Sequence, residues 1–212
     1  MKDETEVALA AALAHFAERL SWLLASQASD EAEELEKIRL MLHEWDSTVA
    51  PVLSQIRDPQ ILQQLQGLLP GISSMRARVR HAFCVDLGFM LQVRLNSLLW
   101  EEAMGTVSKM KELETEAAPE TIQILQGVAS NLIGRPYDPE TFFRTAMDNA
   151  DQGQARWQKL YADLRRNWSD EFTPEAESRL QSANVEVLVD WIKKVNQEIN
   201  SLQHDHPSLA AE

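Results

Sequence analysis

Over almost every stretch longer than about a dozen residues, the apolar side chains of this chain recur every three or four positions. That spacing gathers them on one side of an α-helix. Only seven glycines interrupt 212 residues, so the pattern has few places to break. The expected fold class is all-α, a multi-helix bundle of about seven or eight helices ending in a long C-terminal helical hairpin.

Start and stop signals divide the pattern into elements. A first helix is predicted from Asp3 to Ser26, with Leu9, Leu13, Phe16, Leu20, Leu23 and Leu24 on one face. Ser29-Asp30 caps a second, striped by Leu35, Ile38, Leu42, Trp45 and Val49, and the two should pair as an antiparallel hairpin. Pro51 lacks an amide donor and must kink or end the second helix. Asp58-Pro59 then starts a short helix that Leu69-Pro70-Gly71 should end. From Ser73-Ser74 a long central helix is expected to about Glu116, apolar nearly all the way round its middle. Pro119 to Ile133 supplies another helix, closed by Gly134, and the Arg135–Glu140 segment combines a linker with a new cap. Two C-terminal helices follow, one striped by Phe143, Met147, Trp157, Tyr161, Leu164 and Trp168. The other carries Leu180, Leu188, Trp191, Val195 and Leu202, with its cap at Thr173-Pro174-Glu175. The predicted organisation is a helical body over 1–134, a hairpin over 136–203 and a flexible tail over 204–212. The length of that hairpin also suits an intermolecular bundle, which predicts a homodimer.

Charge narrows the function classes. Thirty-three acidic against 20 basic side chains give a formal net charge of −13, which repels polyphosphate and attracts basic partners. Nucleic acid is therefore disfavoured. The acidic N-terminus is unlike a secretory leader, and no uninterrupted apolar run approaches the ~18 residues of a membrane span. With Cys84 as its one cysteine, the chain can form no internal disulfide, which fits a reducing compartment. A cytoplasmic setting is expected.

Four constellations could carry chemistry. His15-x-x-Glu18 and His43-x-x-Asp46 would lie at similar height on neighbouring helices. Projection at ~100° per residue nevertheless puts both histidines on flanks of their helices, away from a core where ligands would converge, so no metal is expected. Ser73, Ser74, Arg76 and Arg80 concentrate cations and hydroxyls just after Gly71. They either hold an anion with free helix amides or pair with carboxylates of other helices. Asp86, Arg94, Ser97 and Glu101 share a sector of the central helix, as a buried ion-pair network or as the lining of a ligand pocket. Trp22 lies off the stripe of the first helix, either as a contact between helices or as an exposed anchor for a partner. Cys84 reads as core, since only His81 is near enough in sequence to activate it.

Hydrolase elbows, P-loops and dinucleotide-binding glycines are absent, and no residue pattern implies a cofactor or a catalytic residue. The expected function is that of a non-enzymatic interaction protein, an adaptor, chaperone-like or regulatory bundle that holds another protein through a helical face and its acidic surface. A sensor domain with a small-ligand or anion pocket on the central helix is the alternative, and an enzyme without a recognisable motif is the third.

Overall fold

Side chains at the helix starts close the backbone as the sequence predicts. Asp30 accepts the Ala32 amide at 3.1 Å, Asp58 that of Gln60 at 2.7 Å and Asp138 that of Thr141 at 2.8 Å. Thr173 accepts from Ala176 at 3.3 Å. Each satisfies an amide that has no partner inside its own helix. These contacts come from a computed structural model, which describes residues 4–25, 30–113, 119–134, 136 and 138–210. Among them are seven α-helices and no strand: α1 (Glu4–Ala25), α2 (Glu31–Glu44), α3 (Pro59–Leu113), α4 (Pro119–Ile133), α5 (Pro139–Asn167), α6 (Pro174–Gln181) and α7 (Val185–Asp205). The Ala28-Ser29 turn, residues 114–118, Arg135 and Tyr137 lie outside the described residues.

Pro51 acts as its chemistry demands. The backbone leaves α2 through a π-helical turn at Trp45–Val49, in which Ala50 N–H reaches Trp45 O, and continues as a 3-10 turn over Ala50–Gln55. Pro70 does not. The expected break at Leu69-Pro70-Gly71 is absent, and α3 is a single helix of 55 residues with Pro70 inside it. An interior proline costs about 3 kcal/mol, but Leu65, Leu68, Ile72 and Met75 on either side of it are all buried. At roughly 1.5–3 kcal/mol for each such side chain, their burial outweighs the lost hydrogen bond. Gly71 has a packing role there: a Cβ at that position would stand 3.0 Å from a Leu20 methyl of α1.

The chain divides into two compact units, Met1–Ala82 with Ile199–Glu212, and Phe83–Glu198. The division runs through α3 and α7, whereas the sequence places it between residues 134 and 136. Helices this long can serve one core at one end and a second at the other. One window within Pro59–Thr106 of α3 is also long and apolar enough, at a mean hydropathy of 1.3, to cross a membrane by length and composition; 39% of it is buried inside the fold.

In the first unit, Leu13, Phe16, Leu20 and Leu23 of α1 are buried with Ile38, Met41, Leu42 and Trp45, and the rings of Phe16 and Trp45 lie 5.3 Å apart. The tail expected to be loose instead carries α7 through Asp205, then a turn at Pro207–Ala210 whose Leu209 is buried. An apolar side chain with somewhere to go orders the segment that bears it.

In the second unit the helix after Thr173 comes in two pieces, because Asn184 caps α7 afresh by accepting the Val187 amide at 2.9 Å. The buried stripe of α5 also begins one position earlier than expected. Phe142, Ala146 and Ala150 face inward, while Met147 is exposed. Small residues there let α5 come close to α3: a Cβ on Gly153 would meet Ser97 at 3.1 Å.

Candidate functional site

An apolar groove opens on the α1–α2 hairpin. Phe16 meets Trp45, Arg19 pairs with Glu44, and Trp22 and Leu23 share a groove with Lys37, Leu40 and Met41, so the two helices run antiparallel as predicted. Leu23 and Met41 are buried and form the floor of the groove. Trp22 is 64% exposed and Leu40 57%, and they form its lips. The rim carries His15, Glu18, Arg19 and Lys37, with Lys37 held 2.6 Å from Glu33 and Arg19 bound to Glu44. At about 560 Å³ the groove is within the ~300–1,000 Å³ of binding pockets. Its chemistry suits apolar side chains flanked by charges of either sign.

This geometry follows from register. The stripe of α1 uses Leu13, Phe16, Leu20 and Leu23, so Trp22 is left at the edge of the face that meets α2. Leu40 stands likewise beside the buried Met41. Sequence reading singled out Trp22 and missed Leu40. An off-stripe leucine on the partner helix was the available signal. His15 and Glu18 enter the groove rim, whereas Asp46 is drawn to Arg76. Among the described residues no group of three or more His, Cys, Asp or Glu side chains could hold a metal.

In the arginine-rich segment the helix amides are not free to hold an anion. Because α3 passes through Pro70 without ending, Ser73, Ser74, Arg76 and Arg80 sit within a continuous helix and their amides are taken up by its ladder. The side chains point to carboxylates: Arg76 binds Asp46, and Arg78 grips Glu34 with two hydrogen bonds of 2.5 and 3.1 Å. That is the carboxylate-pairing alternative.

The charged sector of α3 comes apart into two sites. Asp86 accepts the Trp168 indole N–H at 2.8 Å, and Trp168 in turn packs edge-on against Phe83. Arg94, only 16% exposed, donates to Gln154 at 3.0 Å and reaches Glu101 at 3.4 Å, with its guanidinium 4.8 Å from the centre of the Trp157 ring. The fully buried Ser97 donates to the same Glu101 oxygen at 3.4 Å. Two donors remain unanswered: among the described residues neither Arg94 Nε nor Trp157 Nε1 has an acceptor, although both atoms are buried. Further along α5, Tyr161 stacks on Trp157 and donates its hydroxyl to Glu177 of α6. Burial, and then the bond to Glu177, hold the Tyr161 pKa above its ordinary value of 10.0. Cys84 is buried in this unit.

Known proteins supply no guide to either site. No family model, no curated protein and no solved structure matches the chain.

Proposed function

We propose that the protein is a non-enzymatic binding module that holds another protein through the α1–α2 groove. The observation that supports this most is Trp22, a large apolar side chain left nearly two-thirds exposed beside an equally unpartnered Leu40, over a buried apolar floor. Tryptophan is enriched among residues that dominate binding energy. An amphipathic helix laid along the hairpin would bury both lips and complete a three-helix contact. The net charge of −13 would speed the approach of basic partners. The cytoplasmic setting expected from the sequence belongs to the same proposal.

The test is the affinity of a partner isolated from the protein's own cells, measured by calorimetry. Trp22→Ala should weaken binding at least about tenfold, or 1.4 kcal/mol, while the melting temperature holds. A partner that binds the variant equally well would overturn the proposal.

A second reading, a small-ligand sensor, draws on the unanswered donors at Arg94 and Trp157. Buried donors without acceptors call for a water or a ligand oxygen. Native mass spectrometry of gently purified protein should show a stoichiometric extra mass below about a kilodalton if this reading holds.

A further inference from the structure

Helix α4 has two apolar faces, and only one of them is used inside the unit. Ala129 is buried with Phe142 and Ala146, and Leu125 and Ile133 pack against that cluster together with Trp100 and Met104. This fixes the helix. The remaining apolar side chains, Ile124, Val128 and Leu132, fall at i, i+4 and i+8 on another face. Ile124 is 68% exposed, the largest value for a big hydrophobic residue among the described residues, and the other two are each more than half exposed.

We infer that this face is a self-association surface, on which α4 of a second copy of the chain packs antiparallel about a two-fold axis at Val128. Two observations select a second copy over a different partner. First, residues 121–134 contain no charged side chain, in a chain whose net charge is −13. Two copies repel each other over most of their surface, and a charge-free helix face is where that repulsion is least. Within α4 the one carboxylate is Glu120, a turn before Ile124 at the end of the stripe, so a basic partner finds little to pair with along the rest of it. Second, the stripe is self-complementary. Its branched residues lie four positions either side of Val128, so an antiparallel copy sets Leu132 of one chain against Ile124 of the other and Val128 against Val128. That is the isologous pattern a two-fold contact requires, in i±4 ridges that can interdigitate. Gly127 beside the stripe has open space where a Cβ would stand, so nothing blocks the approach.

One crossing of 15-residue helices buries less than the roughly 1,200 Å² of a stable interface. The dimer should therefore be weak and concentration-dependent. It is independent of the α1–α2 groove.

Sedimentation velocity on the full chain, from about 5 to about 500 µM, tests the inference. The dimer fraction should rise with concentration. It should also rise between about 0.05 and about 0.5 M salt, because screening relieves the repulsion between two acidic chains. Val128→Arg sets like charges against each other at the axis and should remain monomeric throughout, whereas Trp22→Ala should dimerise as the wild type does. Val128→Cys gives a second route that does not depend on the arginine variant folding. Its two sulfurs meet at the axis, where a disulfide requires Cβ atoms about 3.8 Å apart. Oxidation should cross-link it faster than Ile124→Cys, whose counterpart across the axis is Leu132. A wild type that stays monomeric to about 500 µM, a Val128→Arg chain that still dimerises, or a dimer lost with Trp22→Ala alone would each overturn the inference.

Discussion

The α1–α2 hairpin and the α3–α5 contact both set an arginine beside a tryptophan, and they treat the pair in opposite ways. On the hairpin, Arg19 is satisfied by Glu44 at the surface and Trp22 stands free in solvent. At the α3–α5 contact, Arg94 covers the face of Trp157, and each keeps a buried donor without an acceptor. Packing decides the difference. Gly153 lies against Ser97 and brings α5 close to α3 where Arg94 and Trp157 meet, whereas α1 and α2 leave a groove open over Leu23 and Met41. One arginine–tryptophan pair is available to a partner, and the other is committed to the fold.

The contrast can be broken most forcefully at the closed site. Gly153→Val forces side-chain atoms into Ser97 and should destabilise the protein by about 2–3 kcal/mol, the upper range for overpacking. Chemical denaturation measures it, and an unchanged midpoint would show that α5 can retreat at little cost.

Arg94→Met comes next. Breaking a fully buried pair costs about 3–5 kcal/mol. Glu101 is 42% exposed and can turn to water, so about 2 kcal/mol is expected. If the sector instead encloses a ligand, the fold should hold and ligand-induced thermal stabilisation should disappear. At the open site, Leu40→Ala should change stability by no more than about 0.5 kcal/mol while weakening partner binding. A larger loss of stability would mean that the groove is part of the core.

The smallest effect concerns alkali. Tyr161 is protonated more tightly in the folded chain than in the unfolded one. Its contribution is therefore complete below pH 10 and is lost as the pH rises through the higher folded value. Tyr161→Phe should flatten that part of the stability profile, measured by denaturation between about pH 8 and 11.

Most helix starts were legible because a capping side chain beside a proline is a local signal, and Asp58, Asp138 and Thr173 need nothing distant to act. The stripe of α1 was legible for the same reason, through its period. Pro70 was misread because its local penalty is overridden by the burial of Leu65, Leu68, Ile72 and Met75 against distant residues. The start of the buried stripe on α5 was misread because its inward face is built of Ala146 and Ala150, which carry little hydrophobic signal of their own. At the groove, Trp22 could be found from its position off the stripe. Leu40 carried the same off-stripe signal, but its place beside Trp22 becomes visible only once the two helices are paired.

The first unit is made from both extremes of the described sequence, since residues 199–210 join residues 4–82 to form it. A ribosome adds roughly 5–20 residues per second, so residues 83–198 take on the order of ten seconds to emerge between the two parts. Throughout that interval the nascent hairpin waits without Leu209 and the end of α7. A stop codon late in the message would therefore remove residues of a unit whose larger part had already been translated.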